Sequence, residues 1–251
     1  MSLTDADVWE KVRSVPHWYH RIELRPGIVT PGINDTPRFL QQLDLPADCT
    51  GLRVLDLGTR DGFFAFEMER RGADVLAIDY LPSSTTGFDV ASAVLGSRVT
   101  YVQDNIYRVT PEKYGMFDVV LFLGLLYHLP DPLCALGIVH SVCKDLLILE
   151  TQLLDNHLLL PDGRAVPLGA ISSELQAIPL AQFFPANTLS NDYSNYWAPN
   201  AKCMEMMLVE SSFTVLHSEV YGTRGVFKCQ VGHDALLDFN MRIARGIAEP
   251  G

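Results

Sequence analysis

The stretch from Val54 to Tyr80, VLDLGTRDGFFAFEMERRGADVLAIDY, limits what this chain can fold into more than any other part of it. An apolar run passes through Asp56 into a turn written Gly58-x-x-x-Gly62, a helix-length segment follows, and a second apolar run ends on Asp79. The rhythm continues, with apolar runs at 53–57, 74–79, 98–103, 117–123 and 145–151 separated by stretches long enough for helices. These runs lack strict alternation, which suits parallel strands covered on both faces. The expected fold is therefore α/β and doubly wound. Right-handed crossovers then bring the carboxyl ends of the strands to one edge, where such folds bind ligands.

Residues 1–251 read as one domain, because nothing in the sequence marks a second core. Thr4 and Asp7 make a capping pattern for a helix carrying Val8, Trp9 and Val12. Pro16, Pro26, Pro31 and Pro37 then forbid a long helix, so 1–45 forms an amino-terminal helix and cap, with Trp18, Tyr19, His20 and Arg21 clustered in it. Residues 52–151 form the ligand-binding core. Residues 155–196 break the rhythm with Pro161, Pro167, Pro179, Pro185, Gly163 and Gly169, and read as a substrate-facing insertion holding a short helix near 172–184. A helix at 199–212, strands near 213–221 and 224–231, and a closing helix from about 233 to 246 complete the expectation.

The glycine turn selects the ligand. A dinucleotide fingerprint begun at Gly58 needs glycine at positions 60 and 63, where Arg60 and Phe63 stand, so the pyrophosphate turn is missing. What remains suits S-adenosyl-L-methionine, which has a ribose, an ammonium and a cationic sulfonium but no phosphate. Asp56 can accept from the ammonium, Gly58 lets the backbone approach, and Asp79 can take both ribose hydroxyls. Asp104 and Asn105, at the end of the third strand, are placed to meet the adenine. Thr59, Arg60, Gly62, Tyr80, Leu123 and Tyr127 complete the expected cofactor contacts.

Composition removes several other classes. A net charge of -11 repels polyphosphate, which argues against nucleic acid as a partner and favours a small-molecule acceptor. The longest apolar run, Val119 to Tyr127, falls far short of the ~18 residues of a membrane span. The acidic opening MSLTDADVWEKV lacks the basic start of a secretory signal, and five cysteines without C-x-x-C spacing fit reduced thiols, so a cytoplasmic protein is expected. No histidine or cysteine spacing calls for a metal. A homodimer stays open.

Residues 54–80 together with FDVVLFLGLLYHLPDP, 117–132, resemble the class I S-adenosylmethionine-dependent methyltransferases. The resemblance implies a seven-stranded, mostly parallel sheet with an antiparallel last strand. More narrowly, the opening from Trp18 to Gly27, LGLLYH, LLILET and YWAPNAKCMEMM are similar to the bacterial tRNA wobble-uridine 5-oxyacetate methyltransferase group. Those enzymes use a carboxylated donor held by a lysine, whose place falls on His20 here, so the ordinary methyl donor is expected. Tyr127 and Arg224 match residues that line the cofactor and substrate pocket of that group.

Methyl transfer to a hydroxyl needs an acceptor held in line with the methyl carbon and a base for the departing proton. His128, at the carboxyl end of the fourth strand, is the candidate catalytic base, with backbone bonding at a helix entry as its alternative role. His20, Arg21, Glu150, Tyr193, Tyr196, Trp197 and Arg224 are the candidate substrate contacts. The reading that results is O-methylation of a small polar or aromatic metabolite of natural-product type. Methylation or carboxymethylation of a tRNA wobble uridine is the runner-up, and a noncatalytic S-adenosylmethionine-binding subunit stands as a further alternative.

Overall fold

The computed structural model describes residues 3–232 of the chain, so the expected closing helix at 233–246 lies outside the described residues. Among the described residues seven strands share one sheet: β1 (Arg53–Leu57), β2 (Asp74–Asp79), β3 (Thr100–Gln103), β4 (Phe117–Leu123), β5 (Cys143–Gln152), β6 (Phe213–Tyr221) and β7 (Arg224–Val231). Their order across the sheet is β6-β7-β5-β4-β1-β2-β3. β1 pairs parallel with β2 and β2 with β3, whereas β7 runs antiparallel to both β5 and β6. This is the mostly parallel sheet with one reversed strand that the resemblance implies, and each observed strand lies within two residues of its expected range.

The helices form where local chemistry favours them. α1 (Asp5–Ser14) starts on the expected capping box: the Asp7 amide donates to Thr4 Oγ1 at 3.2 Å and the Thr4 amide donates to Asp7 Oδ2 at 2.7 Å. α2 (Phe63–Arg70) follows the glycine turn and buries Phe64, Ala65, Phe66 and Met68. α3 (Phe88–Leu95) follows Gly87, α4 (Pro132–Val142) starts with Pro132 beneath an Asp131 cap, and α5 (Ala201–Glu210) is capped by Asn200. Among the described residues no helix is long and apolar enough to cross a membrane.

The chain groups into two compact units. Among the described residues one comprises 3–109 with 117–121, the other 110–116 with 122–232, so the division passes through β4. In the first unit the core is built from Val54, Leu55, Leu57, Val75, Ala77 and Ile78 of the strands with Phe64 and Met68 of α2. The amino-terminal cap belongs to this unit. It contains a hairpin, Glu23–Arg25 with Ile28–Val29, and buries Trp18, whose indole N–H donates to the Val12 carbonyl at 3.0 Å.

In the second unit Leu147, Ile148 and Leu149 of β5 are buried alongside Val226 and Phe227 of β7. The insertion has a small core of its own, made by Leu168, Phe184 and Leu189 with Leu154 and Ala198 at its borders. The helix expected near 172–184 is replaced by a single 3-10 turn at Ser173–Gln176 and a strand at Ala181–Phe183, which pairs antiparallel with Trp197–Pro199. Pro179 explains the difference, since it offers no amide N–H and disfavours helical dihedrals at Ile178. Gln182 then fixes the strand by accepting the Leu159 amide at 2.9 Å and donating to the Leu159 carbonyl at 2.7 Å.

Gly87 sits against the Trp18 ring so closely that a β-carbon there would collide with it. Gly87→Ala should therefore cost about 1–3 kcal/mol of stability through overpacking, read as a lowered thermal midpoint. An unchanged melt would show that the cap does not pack on this loop.

Candidate active site

In the first unit the parallel register places Leu57 beside Ile78 and Asp79 beside Gln103, so the ends of β1, β2 and β3 gather. The backbone turns sharply after β1. Gly58 and Gly62 take positive φ of 78° and 90°, and Arg60 takes 53°, a conformation that a side chain rarely adopts. Asp79 stabilises this turn: its Oδ2 accepts the Arg60 amide at 2.9 Å, while its Oδ1 accepts the Leu81 amide at 3.0 Å. Each oxygen retains capacity for a further donor.

Asp56 and Thr59 are the residues that ask for a ligand. Both are 2% exposed, and among the described residues Asp56 Oδ2 and Thr59 Oγ1 have no hydrogen-bond partner. Buried polar atoms are nearly always paired, so two orphans flanking a glycine turn fit a bound polar group that supplies the missing donors. Burial, together with the nearby Asp79 charge, pushes the Asp56 carboxyl up to about 7. A cationic ligand reverses that balance by favouring the carboxylate.

Asp61 carries a structural role that the sequence reading missed. It is fully buried, and its carboxylate accepts three backbone amides: Tyr19 at 2.7 Å, His20 at 2.8 Å and Gly87 at 2.9 Å. An Asp-Gly pair in a turn was the available signal, since a short carboxylate there can bond nearby amides. His20 is 4% exposed among Tyr19, Phe63 and Phe64, with Nδ1 unpartnered, and burial pushes its imidazole down to about 4. Arg21, expected to meet substrate, instead donates from Nε to the Gly32 carbonyl at 3.0 Å. Tyr80 is exposed. Asn105 caps a short turn by accepting the Tyr107 amide at 3.0 Å, and Asp104 accepts the Asn105 amide at 2.8 Å. Thus Asn105, expected to contact adenine, is used to shape its loop.

The second unit holds the remaining candidates. After Leu123, Gly124 takes φ of 67° and its amide donates to the Glu150 carbonyl at 3.0 Å. An antiparallel strand begins where its neighbour ends, so Arg224 at the start of β7 lies opposite Gln152. Its guanidinium forms a two-pronged pair with Glu150, Nε on Oε1 and Nη2 on Oε2 at 2.7 Å, and Nη2 also donates to the Tyr127 hydroxyl at 3.2 Å. The Tyr221 hydroxyl donates to Glu150 at 3.3 Å. The Glu150 carboxylate thus has its hydrogen bonds within the protein, to Arg224 and Tyr221. Burial works against the Arg224 charge, but Glu150 more than offsets it and holds the guanidinium above its ordinary range.

Tyr127 and His128 stack with ring centroids 4.2 Å apart, and the Arg224 guanidinium lies 4.7 Å over the Tyr127 ring. The insertion is tied to this segment: the Tyr196 amide donates to the Tyr127 carbonyl at 2.8 Å, and Trp197 Nε1 to the Pro130 carbonyl at 3.4 Å. His128 Nδ1 lies 3.1 Å from the Ser194 carbonyl and 2.9 Å from Ser194 Oγ, which itself donates to Asp192 Oδ1 at 2.6 Å. Trp197 packs on Phe183, whereas Tyr193 is 72% exposed. Neither Asp192 nor Ser194 stands out in the sequence, because only the path of the insertion brings them to His128.

The sheet order, with its reversed seventh strand, defines a class I methyltransferase fold. A family described as a methyltransferase domain matches residues 32–203, and the chain belongs to that family. Among curated relatives, the ubiquinone biosynthesis O-methyltransferase of Xanthomonas euvesicatoria pv. vesicatoria is 32% identical over 43% of this chain and 45% of its own. The enzyme of that name from Pseudomonas aeruginosa strain UCBPP-PA14 is 29% identical over 57% of this chain and 61% of its own. The chain thus spans about half the length of these relatives. Among solved structures, the N-terminal domain of EvdMO1, determined with S-adenosylhomocysteine and D-fucose, has a TM-score of 0.61 at 17% identity, covering 93% of this chain and 99% of that one. Magnesium protoporphyrin IX methyltransferase from Synechocystis PCC 6803, determined with S-adenosylmethionine, has a TM-score of 0.54 at 13% identity, covering 92% and 93%. The chain therefore carries a methyltransferase domain. The relatives reported support this class and leave the narrower wobble-uridine grouping unsupported.

Buried His20 gives a pH test of the first unit. Its folded value lies below the ordinary value of 6.5, so the unfolded chain binds the extra proton. Its contribution is complete above pH 6.5 and is lost as pH falls toward about 4. Asp56, raised in the fold, has the opposite slope over the same range, so the comparison must be made against His20→Phe. That variant should lose less stability between pH 6.5 and 4 than the parent in denaturant titrations; parallel losses would show that His20 is not buried neutral.

Proposed function

We propose that this protein transfers a methyl group from S-adenosylmethionine to a hydroxyl of a small polar or aromatic molecule. The observation that carries the donor half is the unpartnered, buried carboxylate oxygen of Asp56 beside the Gly58 turn. In this reading Asp56 and Thr59 receive the amino-acid end of the donor, and Asp79 accepts from its ribose. When bound, S-adenosylmethionine supplies an electrophilic methyl carbon attached to a sulfonium. The protein's remaining tasks are to orient the acceptor and take up its proton. His128 does the latter through Nε2, the nitrogen left as acceptor when Nδ1 donates to the Ser194 carbonyl.

Three observations support an oxygen acceptor on a small molecule. The curated relatives are named as O-methyltransferases of ubiquinone biosynthesis, and the EvdMO1 domain was determined with a sugar. The chain is strongly acidic, which disfavours a polyanionic substrate. We infer further that the acceptor is a phenol or deoxysugar of the natural-product kind.

Calorimetric titration with S-adenosylmethionine, its carboxylated analogue, S-adenosylhomocysteine and NAD tests the donor half. The methyl donor and its product should bind, and Asp56→Asn should weaken binding by about tenfold or more, the loss of one charge-assisted hydrogen bond. Because Asp56 sits near 7, the protonated acid must give up its proton to hold a cation. Affinity should therefore rise from pH 6 to 8 in the parent and stay flat in Asp56→Asn. No adenosyl binding would sink the proposal. Radiolabel transferred to tRNA but to no catechol or deoxysugar would overturn its acceptor half.

A further inference from the structure

Resting on the reading of His128 as the base, we propose that Asp192 and Ser194 are positioning residues that fix the His128 imidazole as the Nδ1–H tautomer, so that the proton-accepting lone pair lies on Nε2. Hydrogen-bond chemistry carries the argument. The Ser194 carbonyl, 3.1 Å from Nδ1, can only accept. The Ser194 hydroxyl has a single proton, and at 2.6 Å from Asp192 Oδ1 it makes the short bond of a hydroxyl to a carboxylate. Toward Nδ1, at 2.9 Å, that hydroxyl therefore presents lone pairs alone. Both partners of Nδ1 are acceptors, and only a protonated Nδ1 satisfies them.

The arrangement also prepares the ring for the charge it acquires. When Nε2 takes the acceptor's proton, the imidazolium is met through the Ser194 hydroxyl by the Asp192 carboxylate, and no proton has to leave Nδ1. The Ser194 hydroxyl bond, ahead of other influences, keeps Asp192 below the usual carboxylate range, so it is ionised at neutral pH. The positions are held locally: Asp192 Oδ1 accepts the Ser194 amide at 2.8 Å, the Asp192 amide donates to the Leu189 carbonyl at 3.2 Å, and Leu189 is anchored in the insertion's core. The other charged or titratable groups near this segment are Tyr127, stacked on the imidazole; Arg224, over the Tyr127 ring; and Asp131, which caps α4. Arg224 is paired with Glu150, and Asp192 is linked to the ring through the Ser194 hydroxyl.

Nitrogen-15 NMR of the histidine-labelled protein tests this without knowledge of the acceptor, with His128→Gln assigning the signal. The parent should show neutral His128 protonated at Nδ1. Asp192→Asn and Ser194→Ala should each lower its titration midpoint by about half a unit or more, since a carboxylate no longer favours the imidazolium. Ser194→Thr, which keeps the hydroxyl, should retain the parent value. In methyl-transfer assays the acidic limb of kcat should shift downward with Asp192→Asn while KM for the acceptor stays unchanged. An Nε2–H signal in the parent, or a midpoint unmoved by Asp192→Asn, would overturn the tautomer assignment. Full methyl transfer by His128→Gln would instead overturn the base reading, whatever the tautomer.

Discussion

The first unit depends on the Asp61 carboxylate. Its two oxygens accept amides from the adjacent Tyr19 and His20 and from Gly87, two segments far apart in sequence that must converge for the glycine turn to be enclosed. A buried carboxylate without donors would cost several kcal/mol, so the cap and the loop before α3 are required wherever Asp61 is buried. Their close approach explains the neighbouring choices. Gly87 must be small because Trp18 covers it, and His20 stays neutral because the same enclosure removes water. The cap is thereby part of the first unit's core rather than an appendage.

In the second unit an ion pair has the corresponding role. Arg224 and Glu150 are brought opposite one another by the reversal of β7, and their two-pronged pair leaves the guanidinium face over Tyr127. Tyr127 in turn stacks on His128, and its carbonyl accepts from the insertion at Tyr196. A chain of oriented contacts thus runs from a sheet strand to the imidazole, and the insertion closes it with Asp192 and Ser194. Preorganisation of this sort holds the imidazole in one orientation.

Much of this was legible in the residues. Apolar runs marked all seven strands; in β1, β2, β4 and β5 the run follows from burial on both faces, whereas β6 is largely exposed. Asp56, Gly58 and Asp79 were legible as a group because their chemistry and spacing excluded a pyrophosphate ligand. The insertion was less readable. Its strand at Ala181–Phe183 exists because Trp197–Pro199 offers it hydrogen bonds, a partner that no local propensity announces.

Sequence alone determined the order of the sheet strands, the glycine turn that lacks the pyrophosphate pattern, and the acidic character of the chain. These are local or compositional properties, set by the spacing of apolar residues, by glycine's freedom at positive φ and by net charge. Only the tertiary structure decided that Glu150 pairs with Arg224, that Asp61 joins the cap to the turn, and that Ser194 and Asp192 reach His128. The physical reason is common to all three. A hydrogen bond between residues distant in sequence depends on where packing brings them, and a carboxylate or hydroxyl carries no local mark of the partner it will find.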